Sequence, residues 1–386
     1  GEPLSRQLSY RLSVFRLQSF LSIVSIKQIS PSMLYFITSL IAVLGVCWIH
    51  PRLVAIALDK NIVDNPDARK LQRKPVPVLG GIAVFFGTVI GLGCAGIACD
   101  CSDLFIVVVA MMIMLYTGTL DDILDLSPAL RFLVEIGTVL LLVFVGGYTL
   151  DDFHGLWGLG QIPREVAIPL TVFAAVGIIN AINLIDGIDG LASGLCSIAC
   201  LLYGLTFLMF HQYIYAMLAF ATLGVLVPFF YYNVFGNAEH GKKIFMGDTG
   251  SLTVGMMLCL LSLKLTMCGT DDNTVHINPM VLAFSPLLIP CCDVVRVYLH
   301  RVRNGKNPFL PDKNHIHHKL LAVGMQQRSV MIIVISVSTV FILFNILLSL
   351  YLNVNWIVLV DILIWTFTNI RLTKRIGQLQ SRQATN

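Results

Sequence analysis

Charge is scarce in this chain. Asp, Glu, Lys and Arg make up 12% of its 386 residues, whereas an average soluble domain carries about 25%. With 56% hydrophobic residues and a mean hydropathy of +0.81, that deficit excludes a soluble globular protein. Short segments of alternating hydrophobicity, the mark of an outer-membrane barrel, are missing too. The ten cysteines show no zinc-ligand spacing. Most of them, Cys47, Cys196, Cys200 and Cys259 among them, sit inside apolar runs, where a thiol behaves as a small hydrophobe. Cys99 and Cys101 flank an outer turn where a disulfide is conceivable.

What is present is a series of apolar runs, each near the roughly 20 residues a helix needs to cross hydrocarbon. They fall near 33–51, 78–99, 104–120, 129–147, 166–184, 190–210, 214–232, 250–268, 279–299, 329–351 and 355–371. The expected fold is an all-α polytopic membrane protein of about eleven spans. Pro286 and Pro290 predict a kink in the ninth. Three regions follow: an N-terminal segment, 1–32; a membrane domain, 33–372; and a cytoplasmic tail, 373–386.

Loops kept in the cytoplasm retain Lys and Arg. The 52–77 loop holds Arg52, Lys60, Arg69, Lys70, Arg73 and Lys74, and the 300–328 loop holds Arg301, Arg303, Lys306, Lys313, Lys319 and Arg328. Lys374, Arg375 and Arg382 lie in the tail. The intervening turns carry no Lys or Arg except Arg164 in 148–165, so they face outward. Arg6, Arg11, Arg16 and Lys27 run against this assignment, since eleven spans put the first 32 residues outside. That segment reads as an amphipathic surface helix, an over-extended start or appended sequence, with no cleavable signal pattern.

The polar residues a membrane protein can least accommodate collect at the cytoplasmic ends. Asp121 and Asp122 close the third run in GTLDD, where like charges meet the negative end of a helix dipole. A divalent cation would relieve both penalties, and a solvated loop start is the competing reading. In NAINLIDGIDGLASG, Asn183, Asp186 and Asp189 recur every third residue, suited to a base edge or ribose hydroxyls, although Asp189 alone reads as a helix cap. In KIFMGDTGSL, Asp248 stands between glycines ahead of a span, a phosphate-friendly helix start or a plain cap, and Phe245 either stacks on a base or packs. The loop RVRNGKNPFLPDKNHIHHKL adds Arg303, Lys306, Lys313, His315, His317 and His318 around Pro308 and Pro311. Its spacing does not fit a zinc pair, whereas its donors suit a diphosphate.

Together, KPVPVLGG (74–81), LDD (120–122), NLIDGIDG (183–190), FMGDTGS (245–251) and PFLPDKNHIHH (308–318) resemble the polyprenyl-phosphate N-acetylhexosamine-1-phosphate transferase family, glycosyltransferase family 4. The resemblance spans 33–372 and is to the WecA and TagO branch acting on undecaprenyl phosphate; the HIHH form differs from the three consecutive histidines of the muramoyl-pentapeptide branch. It implies transfer of a sugar-1-phosphate, GlcNAc-1-phosphate in the favoured case, from a UDP-sugar to the lipid carrier, with release of UMP. It also implies Mg²⁺, with Mn²⁺ as a substitute, a bacterial inner-membrane location and a cytoplasmic active site. The partners are a UDP-sugar, undecaprenyl phosphate and membrane lipid, with a second copy of the chain as a candidate and no nucleic acid.

Carried over by residue, Asp121 and Asp122 activate the lipid phosphate and support the metal, and Asp248 binds it. Asn183, Asp186, Asp189 and Phe245 form the uridine site, while Lys74, Arg303, His315, His317 and His318 contact the phosphates. Two rivals fare worse. A transporter calls for mid-span ionisable residues and internal repeats, yet Lys264 and Asp361 lie near span ends. A CDP-alcohol phosphotransferase calls for an Arg soon after Asp-Gly, where Ser193 and an apolar run stand.

Overall fold

A computed structural model describes residues 31–64, 75–95, 102–237, 241–268, 277–307 and 314–385. The N-terminal segment to residue 30, Lys74, the turn with Cys99 and Cys101, and 308–313 lie outside the described residues.

Hydrocarbon offers no water to free backbone N–H and C=O groups, so the apolar runs satisfy them as helices. Over the described residues each of the eleven runs is helical. In chain order they are α1 (Pro31–Asp59), α2 (Gly80–Ala95), α3 (Phe105–Leu124), α4 (Pro128–Phe144), α5 (Arg164–Ile185), α6 (Leu191–Met209), α7 (Tyr213–Phe235) and α8 (Gly247–Thr266). After these come α9 (Pro279–Phe284), α10 (Leu288–Arg303), the short α11 (Ile316–Ala322), α12 (Gln327–Ser349) and α13 (Val354–Thr385). Nine stretches, with α9 and α10 taken as one, are long and apolar enough to cross a membrane. The helices α2 and α4 are shorter, at 16 and 17 residues.

The kink expected in the ninth run is a 3-10 turn, Ser285–Leu287, between α9 and α10. Pro286 cannot donate in the helical ladder, and Asn345 donates to the Ser285 hydroxyl at 3.2 Å to steady the break. Nor does α13 stop near residue 371; it runs on to Thr385. Mid-helix hydroxyls turn back on the chain, as when Thr222 bonds Leu218 O and Thr253 bonds Thr249 O, so they cost little inside the bundle.

The centre of the bundle is α8. Residues on every side of it are buried, from Thr249 to Thr266, with Lys264 the partial exception, as expected of a helix apolar all round. It packs against α2, α3, α5, α6 and α9. By contrast α12 and α13 leave Val340, Leu343, Ile362 and Leu363 more than half exposed, a face for lipid. A two-residue antiparallel pair, β1 (Val63–Asp64) and β2 (Val76–Pro77), joins α1 to α2 with Val63 opposite Pro77.

Candidate active site

The site begins where α3 crosses α8. A Cβ on Gly118 would run into the backbone of Asp248 and Thr249, so the helices touch main chain to main chain. One turn further along α3, Asp122 reaches the start of α8, whose first amides have no intrahelical partner. Asp248 N donates to Asp122 Oδ1 at 2.8 Å; Thr249 N and Thr249 Oγ1 donate to Oδ2 at 2.9 and 2.6 Å. A carboxylate at the unfavourable end of one helix dipole is thereby set against the favourable end of another. Gly247 is required here: its φ is +67° and a Cβ would strike the Asp122 carboxylate. Asp121 points elsewhere, with Oδ1 accepting from Leu126 N at 2.8 Å and Oδ2 from Arg131 Nη1 at 3.1 Å.

The loop before α8 is pinned by the segment before α2. Phe245 N donates to Pro77 O at 2.8 Å, and Gly80 N and Gly81 N donate to Phe245 O and Met246 O at 3.1 and 3.2 Å. Two of the sequence motifs, VPVLGG and FMGD, are thus two sides of one backbone contact. A Cβ on Gly81 would collide with Gly250.

From the end of α5, Asn183 donates to Asp248 Oδ1 and, at 2.8 Å, to Ser251 Oγ. Asp186 follows in the connection to α6 and meets no hydrogen-bond donor among the described residues. Burial, reinforced by the carboxylates of Asp248, Asp189 and Asp122, pushes its carboxyl up to about 7. Asp189 pairs with Lys243 at 2.5 Å, and the Lys243 ammonium lies 5.6 Å from the Phe245 ring centroid. Asn233 ties this wall together, accepting from Gly190 N at 2.6 Å and donating to Ile244 O at 2.9 Å.

These groups enclose a cavity of about 530 Å³. Asp64, Asp121, Asp122, Asp125, Asp186, Asp189 and Asp248 line it, with Asn183, Phe245 and Ser251; Lys243 and His318 are the basic side chains among the described lining residues. Among the described lining residues seven carboxylates face Lys243 and His318, so an anion entering beside them calls for a cation. Among the described residues no three His, Cys, Asp or Glu groups form a metal cage of their own. That donor set suits Mg²⁺, which typically takes one or two carboxylates and completes its shell with water and substrate phosphates.

The histidine loop approaches from α11. Asp293, fully buried in α10, accepts from His315 Nδ1 at 2.9 Å and from Ile316 N at 3.0 Å, and Arg296 bonds both Asp293 and Asn314 O. His317 is buried, lies parallel to His315 with centroids 5.9 Å apart, and sits where a Cβ on Gly187 would be. Burial, then the neighbouring His318 and His315, holds its imidazole down at about 3, so the ring is neutral. Lys319 is also lowered, to about 8, by burial and Arg296.

The sequence-derived residues Asp121, Asp122, Asn183, Asp186, Asp189, Phe245, Asp248 and His318 therefore share one cavity. His315 and His317 form the layer behind its wall instead of lining it, and Arg303 is exposed at the end of α10, away from the lining. Lys74 lies outside the described residues. Sequence reasoning passed over Arg131, Lys243, Asn233, Thr249 and Asp293. For Arg131 a signal existed, since Arg131 and Glu135 are an i, i+4 ion pair directly after LDD. For Asp293, inside an apolar run, the carboxylate itself was the signal.

Comparison with known proteins identifies the family. The family model for glycosyl transferase family 4 matches residues 104–266, which include the LDD, NLIDGIDG and FMGD segments. A Bacillus subtilis (strain 168) protein named "Probable undecaprenyl-phosphate N-acetylglucosaminyl 1-phosphate transferase" is 33% identical over 314 residues, 79% of this chain and 82% of the relative. "Undecaprenyl-phosphate alpha-N-acetylglucosaminyl 1-phosphate transferase" of Salmonella typhi is 30% identical over 284 residues, 72% of this chain and 74% of the relative. Its namesake in Escherichia coli (strain K12) is 29% identical over 280 residues with the same coverage. This multi-pass membrane chain belongs to glycosyl transferase family 4, the polyprenyl-phosphate N-acetylhexosamine-1-phosphate transferases that its motifs resemble.

Proposed function

We propose that the protein transfers N-acetylhexosamine-1-phosphate, specifically GlcNAc-1-phosphate, from a UDP-sugar to undecaprenyl phosphate at the cytoplasmic face of a bacterial inner membrane. The observation that carries this reading is the meeting of LDD and FMGD at one cavity mouth, where Asp122 receives Asp248 N at 2.8 Å. The names of three relatives, each an undecaprenyl-phosphate N-acetylglucosaminyl 1-phosphate transferase, support the sugar-phosphate and the lipid acceptor of this reading. Among the described residues, the basic Lys60, Lys319 and Arg328 stand close in sequence to the cavity-lining Val63, His318 and Gln327, which supports a cytoplasmic site.

In the reaction an oxygen of the lipid phosphate attacks the β-phosphorus of the UDP-sugar. The bridging P–O bond breaks and UMP leaves with the bridging oxygen. Both reactants are anions, so positioning and neutralisation supply the catalysis. Asp248, with Asp121, Asp122 and Asp186 beside it, would hold Mg²⁺, which would supply charge neutralisation on the phosphates. Asp121 or Asp122 takes up the remaining proton of the lipid phosphate. Asn183, Asp189 and Phe245 offer the base and ribose edges their contacts; Lys243 contributes positive charge and His318 a ring donor to the phosphates.

The test is UMP release by the detergent-purified protein with undecaprenyl phosphate and Mg²⁺. UDP-GlcNAc should be turned over faster than UDP-GalNAc or UDP-MurNAc-pentapeptide, and not at all without the lipid phosphate. Preference for the pentapeptide donor would move the protein to the muramoyl branch. No UMP from any donor would reject the transferase reading.

A further inference from the structure

Glu135 has no place in the chemistry described so far, yet it is a carboxylate with 0% exposure inside an apolar helix. Ionisable groups at membrane depth are costly and call for a function with a named partner. Its partners are specific. Glu135 Oε2 accepts from Asn180 Nδ2 at 2.5 Å, and Oε1 lies 3.8 Å from Arg131 Nε, one helical turn earlier on α4. Both Oε1 and Nε are buried and have no hydrogen-bond partner among the described residues, so they meet as an ion pair alone. On its other edge the Arg131 guanidinium donates Nη1 to Asp121 Oδ2 at 3.1 Å. Asn180 anchors the far end through its own bond to Val176 O at 2.9 Å, in α5, whose last turn holds Asn183 and leads to Asp186.

Resting on the transferase reading, we infer that Glu135 and Arg131 are positioning residues: Glu135, fixed by Asn180, orients Arg131, and Arg131 sets the Asp121 carboxylate at the cavity. An Arg fork is rigid and planar, so pinning one edge fixes the other. A pair of buried apolar side chains would hold α4 against α5 at least as well, because a buried ion pair adds little net stability. What the pair supplies is the orientation of a carboxylate that must be held steady in a cavity full of like charge.

The relay is tested by a double-mutant cycle in the purified full chain. Glu135→Gln keeps the shape and the Asn180 bond but removes the charge, and kcat for UMP release should fall roughly 10- to 100-fold with KM for the UDP-sugar nearly unchanged. Arg131→Ala should fall further, Arg131→Lys should recover part of the loss, and Glu135→Gln added to Arg131→Ala should cost nothing more. Multiplicative losses in the double variant, or a change confined to KM, would overturn the relay.

A second cycle needs no turnover. The apparent Tm shifts of Glu135→Gln and Asp121→Asn in detergent should be non-additive with Arg131 present and additive in an Arg131→Ala background. Additive shifts in both backgrounds would reject the relay even if the wild type proved not to release UMP, and that absence by itself would reject only the transferase reading.

Discussion

The helices α3 and α8 carry two different kinds of chemistry at their two ends. At one end Gly118, Asp121, Asp122 and Asp248 bring main chain and carboxylates into contact around a cavity. At the other, a cavity of about 520 Å³ is lined by Phe105, Val109, Tyr148, Tyr215 and Lys264 with Asp103. Tyr148 and Tyr215 share a hydrogen bond of 2.9 Å, Lys264 sits 4.8 Å from the centroid of the Tyr215 ring near the negative end of α8, and His154 Nε2 meets Thr266 O at 2.7 Å. Among the described lining residues one end sets a single carboxylate beside a single ammonium, whereas the other sets seven carboxylates against Lys243 and His318. Function is therefore assigned to the end whose electrostatics are unfinished.

The largest expected effect separates the two ends directly. Asp248→Asn removes one negative charge but keeps the shape and the Asn183 contact, and UMP release should drop by roughly 10³-fold, the scale of losing a preorganised electrostatic group. Asp121→Asn should act in the same direction. Lys264→Met at the opposite end should leave turnover within about threefold, as a surface-like change does. Both variants should elute as folded protein in detergent. Chelation with EDTA should abolish wild-type activity, with Mg²⁺ or Mn²⁺ restoring it. Retained activity in Asp248→Asn, or a collapse in Lys264→Met, would erase the distinction.

A smaller effect tests whether the cavity end depends on its second layer. Asp293 touches no lining group, yet it holds His315 Nδ1 and the α11 amide. Asp293→Asn should lower turnover roughly 10- to 100-fold, the usual cost of freeing a histidine from its orienting carboxylate. Loss of activity without loss of the folded species is the expected pattern, and unchanged kcat would show that the histidine loop is positioned by other contacts.

Much of this was legible in the sequence, for a reason that particular residues make plain. In a membrane the helix signal is composition over some 20 residues, so all eleven runs could be located, and Pro286 announced the break at Ser285–Leu287. The carboxylates of LDD, NLIDGIDG and FMGD could be read as a site because acidic groups at membrane level are conspicuous. What could not be read was direction. Asp121 and Asp122 are adjacent, yet helical geometry turns one to Arg131 on α4 and the other to the amides of α8. Nor could sequence order reveal that VPVLGG and FMGD, some 165 residues apart, share a backbone ladder. Arg303, basic and close to the histidines in sequence, reads as a phosphate ligand but ends α10 on the exposed side.

A packing comparison gives a still smaller effect. Gly118 and Gly137 both lie mid-helix, but a Cβ on Gly118 meets the α8 backbone whereas one on Gly137 meets nothing within 4 Å. Gly118→Ala should destabilise by about 1–3 kcal/mol through overpacking. Gly137→Ala should be neutral or slightly stabilising, since alanine is the better helix former by about 1 kcal/mol. Apparent Tm in detergent checks both, and equal shifts would mean the α3–α8 contact is looser than main chain on main chain.

The smallest expected effect concerns acid. His317 is held down at about 3 when folded, against 6.5 for a free imidazole, with burial the main cause. Between those values the unfolded chain binds a proton that the folded chain refuses, so this group's contribution to stability is intact above pH 6.5 and falls as pH drops towards 3. At pH 5 the loss is about 2 kcal/mol by linkage. Replacing the ring by an apolar side chain, His317→Leu, removes the group that must stay neutral against Gly187. The wild type should therefore lose more apparent Tm between pH 7.5 and 5 than the variant does, whatever the other titrating groups contribute to both. Parallel melting curves over that range would mean that the buried ring takes up its proton without cost, and that the layer behind the cavity wall is wetter than its packing indicates.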